Sequence, residues 1–177
     1  MTAQLQISKL DAARRQLEVA VRLYFAEADP VSIHTLTSAA YQLLSDSNRA
    51  RGGPPMLKEQ VPTWVRPDAQ AEAKRRLNEA QNFFKHADRD HEETLTFNPG
   101  PTELQLYDAC VKYKELTGEA VPVLAVFQAW FWLGPGAELA NAPEQEKAVR
   151  DLQRAFPGST RRSFFAEGLP LVSSIEL

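Results

Sequence analysis

Apolar residues recurring at alternating spacings of three and four constrain this chain more than any other feature. Ile7, Leu10, Leu17, Val21 and Tyr24 follow that rhythm, with Arg14 the one charged member. A stripe of this period occupies one face of an α-helix. The same rhythm returns in Ala69, Ala73, Leu77, Ala80, Phe84 and Ala87. No convincing stretch alternates apolar and polar as a half-buried strand does, so the chain reads as all-α.

Local signals divide it into about six helices. Ser8 followed by Asp11 resembles a capping box at the first start. Asp29-Pro30 opens the second helix, about 30–45, with Asp as N-cap and Pro at the first helical position. The short link between the two favours an antiparallel pair over 8–45. From Ser45 the pattern breaks into SDSNRARGGPPMLKEQVPTWVRP, which has turn residues but also the apolar anchors Met56, Leu57, Val61, Trp64 and Val65. Residues 46–67 therefore read as a long loop pinned to the bundle.

The third helix starts after Pro67 with Asp68 as N-cap. The fourth, about 103–117, is capped by Thr102 with Gln105 and stopped at Gly118. The fifth is the apolar run AVPVLAVFQAWFWL, ended by Gly134-Pro135-Gly136, and the sixth follows Pro143 within the segment 68–157. The tail, 158–177, is irregular but apolar enough to dock. A length of 177 residues suits a single domain with one sizeable core, with the fifth helix central.

Composition narrows the partners. The formal net charge of −3 gives no bulk support for duplex DNA, which is bound largely by neutralising phosphates. The single cysteine, Cys110, excludes an intramolecular disulfide and a cysteine-based zinc site. Its apolar neighbours on the fourth helix mark it as a small core residue. The first residues lack the apolar core of a signal peptide, so a reducing cytoplasm is the expected setting. The apolar run is shorter than the about 20 residues that cross a bilayer, so no membrane is expected. No Gly-rich phosphate loop, nucleophile elbow or other cofactor motif is present, and no cofactor is expected.

Chemistry concentrates in two places. The first is NFFKHADRDH, Asn82 to His91, which holds two of the three histidines. On a helical projection Arg75, Glu79, Asn82, His86 and Arg89 fall on one polar line opposite the apolar stripe. This line reads either as a solvated face of i,i+4 contacts or as a polar strip along a groove. His86, Arg89 and His91 are the catalytic candidates. His86, Asp90 and His91 are weak candidates for a metal, which would need a third ligand from another helix. The second place is the second helix, where His34, Thr37 and Tyr41 make one side polar and aromatic. The candidate binding residues are His34, Tyr41, Asn82 and His86. Arg161-Arg162 before Phe164-Phe165 could stack on bases, or belong to a tail docked by its aromatics.

The segments KLDAARRQLEVAVRLYF, DPVSIHTL and NFFKHADRD resemble those of a set of small uncharacterised bacterial helical proteins, over roughly residues 8–117. More distantly, the architecture resembles the HEPN-like helical bundles. That resemblance implies a metal-independent ribonuclease that pairs an Arg and a His a few residues apart, commonly at a dimer interface. Here Arg75 and Arg76 lie about three helical turns before His86, and Arg89 lies next but one to His91. Asn82 and His86 are the residues that would occupy the equivalent groove. The expected function is a helical binding protein acting through a polar groove or dimer interface, with a second copy or a protein partner. A HEPN-like metal-independent ribonuclease or RNA-binding protein is the alternative, with RNA as partner, and a metal-dependent enzyme using the His86–His91 cluster is the second.

Overall fold

A computed structural model describes residues 4–86 and 91–174. Eight α-helices are present among them: α1 Lys9–Phe25, α2 Pro30–Ala50, α3 Leu57–Gln60, α4 Gln70–Phe83, α5 Gly100–Thr117, α6 Pro122–Leu133, α7 Pro143–Ala155 and α8 Arg161–Ser174. No strand occurs in the described residues. The all-α reading holds, while the count of about six is corrected to eight. One added helix is the short α3 inside the pinned loop. The other is α8, where an irregular tail was expected because Gly168 and Pro170 interrupt the local pattern. Docking prevails there: Phe164 is fully buried and Phe165 stacks on Phe25 with ring centroids 4.7 Å apart.

The helix starts follow the local chemistry in part. The Ser8 hydroxyl accepts the Asp11 N–H at 3.0 Å, but the Asp11 carboxylate turns to Arg14 and Arg15 instead of closing the box. The Asp29 carboxylate accepts the Ser32 N–H at 2.8 Å, as an N-cap does. Gly118 ends α5 at φ +69°, a left-handed position that suits glycine.

Three boundaries depart from expectation. The α2 helix runs on to Ala50 because its polar end points inward. Ser45 Oγ donates to Glu59 Oε1 at 2.7 Å and Asn48 Nδ2 donates to the Pro54 carbonyl at 2.6 Å, so both residues are buried while tying down the following loop. The α5 helix begins at Gly100-Pro101, which places Thr102 inside it and frees its side chain for a distant partner. Asp68 does not cap α4. It lies in a tight turn, Pro67–Ala69, and pairs with Arg66 at the surface.

The core is built by α1, α2, α5, α6 and α8. Leu17, Val21 and Phe25 of α1 meet Leu44 of α2, Leu106 and Cys110 of α5, Val126 and Phe127 of α6, and Phe164 of α8. Full burial of each such side chain contributes roughly 1.5–3 kcal/mol. The central α6 packs against α1, α5, α7 and α8. No helix among the described residues is long and apolar enough to cross a membrane.

The α4 helix is different. It buries no residue fully and leans on α2 and on the turn Val61–Trp64. Its inward face presents Ala73, Leu77 and Ala80, and two alanines cannot fill the space towards α2 and α5. Of the anchors expected in the pinned loop, Met56 is buried, whereas Trp64 is 65% exposed. The segment is held at its start and open at its end.

Candidate functional site

The under-filled space behind α4 is a cavity of about 490 Å³, enclosed by α2, α3, α4, residues 95–98 and the start of α5. This volume falls in the range of about 300–1,000 Å³ typical of small-molecule sites. Its wall is largely apolar, with Leu57, Val61, Leu77, Leu95, Phe97 and Leu104. Polar groups enter it from α2, α3, α4, α5 and residues 95–98.

His34 and Tyr41 come from α2, one heptad apart and so on the same face. His34 Nδ1 shares a hydrogen bond of 2.8 Å with Thr102 Oγ1, and its Nε2 shares one of 3.2 Å with Ser38 Oγ. Phe84 and Phe97 meet the imidazole edge-on, with centroids 5.8 and 5.2 Å away. Burial, reinforced by the charges of Lys58 and Lys85, lowers the His34 pKa to about 4. The ring is therefore neutral at pH 7, with both nitrogens engaged.

The Tyr41 hydroxyl donates to Asp108 Oδ2 at 2.7 Å and accepts the Lys58 N–H at 2.9 Å. Asp108 Oδ2 also accepts the Leu57 N–H at 3.0 Å. Leu57 and Lys58 open α3, where backbone donors have no partner within the helix. A tyrosine from α2 and a carboxylate from α5 thus cap α3 from across the molecule. Burial, with the bond to Asp108, holds the Tyr41 phenol well above its ordinary range.

Lys58 is the group left open. It stands between this cavity and a neighbouring one of about 380 Å³, and its Nζ donates to Gln81 Oε1, on the neighbouring side, at 3.1 Å, with no ion pair among the described residues. Burial, with the Lys85 charge adding, lowers its pKa to about 8. The ammonium is mostly charged at pH 7 and short of partners, in an apolar wall that disfavours an uncompensated charge. Arg76, by contrast, is exposed and already bound to Glu72 at 2.8 Å.

A second cavity of about 340 Å³ lies between Tyr24, Glu103 and Arg161. Its polar groups close on one another. Tyr24 donates to Glu103, Trp130 Nε1 donates to the Tyr24 oxygen at 3.0 Å, and the Arg161 guanidinium stands 4.1 Å over the Tyr24 ring.

Of the candidates read from sequence, the cavity brings together His34 and Tyr41. Thr37 is buried on the same helix but is not part of the cavity wall, its hydroxyl without a hydrogen-bond partner among the described residues. Asn82 and His86 are exposed and off the cavity wall. The α4 helix ends at Phe83, so His86 sits in the turn beyond it, its N–H donating to the Asn82 carbonyl at 3.1 Å. His91 is exposed, its Nε2 3.9 Å from Glu92. Arg89 and Asp90 lie outside the described residues, as do Ala87 and Asp88. On the expected polar line, Arg75 is taken up by Glu72 at 2.7 Å and Glu79 at 3.0 Å. Among the described residues, no three His, Cys, Asp or Glu side chains converge to hold a metal.

Sequence reasoning missed Lys58, Thr102 and Asp108. The one available signal was a lysine set among the apolar anchors Met56, Leu57 and Val61, where a loop lysine is expected to point outwards. Cys110, fully buried on α5, has a thiol pKa raised well above its usual value by burial. The aromatics Phe164 and Phe165 are engaged in the core, while Arg162 pairs with Glu27 at 3.2 Å. No protein-family model, curated protein or solved structure matches this chain.

Proposed function

We propose that this protein is a helical binding protein whose ligand, largely apolar and drug-sized, sits in the cavity behind α4. The observation that carries this reading is a single one: a cavity of about 490 Å³ with apolar walls and a buried polar set on its α2–α5 side. The few convergent polar groups orient a ligand, and the apolar area contributes the affinity. The His34–Thr102 and Tyr41–Asp108 pairs hold the wall in one arrangement, so little ordering opposes binding.

The test uses the neutral fluorescent probe N-phenyl-1-naphthylamine and the variant Ala80→Phe, which projects a ring into the space. The expected result is saturable fluorescence enhancement with the native protein. The variant should lose it while keeping native circular dichroism. Absence of saturable binding to the native protein, or equal binding by the folded variant, would overturn the reading.

A further inference from the structure

The polar groups on the cavity wall differ in what they have left to offer. His34 uses both ring nitrogens on Thr102 and Ser38. The Tyr41 hydroxyl donates to Asp108 and accepts from the Lys58 backbone, so it too is occupied. Lys58 Nζ carries three protons and gives one to Gln81, a neutral acceptor. A partly desolvated ammonium with two open donors and no carboxylate partner among the described residues is an incomplete arrangement. An anion entering the cavity would complete it.

The same wall limits how much negative charge can enter. Asp108 and Glu79 both line the cavity; Glu79 is paired with Arg75 at 3.0 Å, so the Asp108 carboxylate is the one that repels a second anionic charge placed there. Arg76 reaches the cavity but is bound to Glu72. One open ammonium beside the Asp108 carboxylate suits a monoanion and disfavours a phosphate dianion, which needs several donors at once. The other polar residues of the lining, Thr96, Asn98, Thr102 and Gln105, carry no charge, and most of the wall is apolar.

Resting on the binding reading above, we infer that the cavity takes a small free amphipathic carboxylate, its apolar body against Leu57, Leu77 and Phe97 and its one negative charge on the Lys58 ammonium. The depressed pKa of Lys58 agrees with this placement, since bound carboxylate would return the lysine towards its ordinary value. Uncharged ligands of the same shape bind through the apolar wall alone and leave the ammonium unpaired. Selectivity for the carboxylate follows from that difference.

Displacement of N-phenyl-1-naphthylamine by decanoate, decan-1-ol and decyl phosphate at pH 7 tests the assignment. Decanoate is expected to displace the probe about tenfold more tightly than decanol, and more tightly than decyl phosphate. In Lys58→Met the decanoate preference over decanol should vanish while probe binding persists. Lys58→Gln serves as a second variant should the methionine perturb folding. Equal displacement by decanoate and decanol in the native protein would overturn the carboxylate assignment and leave the binding reading intact. So would a preference that survives in either folded variant. A stronger response to decyl phosphate would replace the monoanion with a dianion. Failure of the native protein to bind the probe at all strikes the binding reading itself, so the two failures are distinguishable.

Discussion

Tyr41 on α2 and Asp108 on α5 share a 2.7 Å hydrogen bond, and together they accept the first two backbone N–H groups of α3. Two core helices thereby hold in place the short segment that carries Lys58 over the cavity. Tyr41→Phe removes a donor to Asp108 and an acceptor for Lys58, and Asp108→Ala leaves the Tyr41 O–H and the Leu57 N–H without their acceptor. Each should destabilise the protein by about 1–3 kcal/mol. The double variant should cost less than the sum by about 0.5–3 kcal/mol, because the two residues form one unit. Urea unfolding midpoints of the four proteins give the coupling, and additive costs would show that the two caps act separately.

His34 should make stability fall in acid. Its folded pKa is about 4, lowered by burial and then by Lys58 and Lys85, against an ordinary value of 6.5. The unfolded chain therefore takes up a proton first as pH drops. The contribution is fully present above pH 6.5 and is lost as pH falls towards 4, up to about 3 kcal/mol. His34→Gln, which cannot titrate, should lack this component. Denaturant midpoints of both proteins at pH 7 and pH 4.5 isolate it, and parallel losses would argue against a neutral buried imidazole.

Lys58, like His34, is a base whose charged form burial disfavours. Its folded pKa of about 8 lies below the ordinary 10.5. Folding thus releases a proton between pH 8 and 10.5. Stability rises with pH through that window, and the gain is lost as pH falls through 8. Lys58→Met should raise stability at pH 7 by roughly 1–2 kcal/mol and flatten the alkaline rise. Thermal melts at pH 7 and pH 10 read both effects.

Phe164 decides whether the C-terminal helix is structural. It is 1% exposed and contacts Phe156 at 4.7 Å and Trp130 at 5.3 Å between centroids. Phe164→Ala should cost about 3–5 kcal/mol by leaving a cavity among large side chains. Guanidinium unfolding measures it, and a cost below about 1 kcal/mol would mean that α8 can leave the core without loss.

What local sequence could determine here is what depends on a residue and its near neighbours. Ser8, Asp29-Pro30 and Gly118 mark helix ends by satisfying or releasing backbone groups within a few residues, and the three-four rhythm identifies the core face of α1. His34 and Tyr41 were legible as a pair for the same reason, since one heptad places them on one side of α2. Tertiary structure decided the rest. Ser45, Asn48 and Thr102 carry side chains that local rules assign to turns and caps, yet they are bonded to Glu59, Pro54 and His34. Glu59 and Pro54 reach α2 because the following loop folds back on it, and the packing of α2 against α5 brings Thr102 to His34. The cavity exists because Ala73 and Ala80 under-fill the gap behind α4, a consequence of where α4 rests and of no residue by itself. Lys58 and Asp108 belong to that site for the same reason: their roles depend on distances between helices, which a linear spacing does not encode.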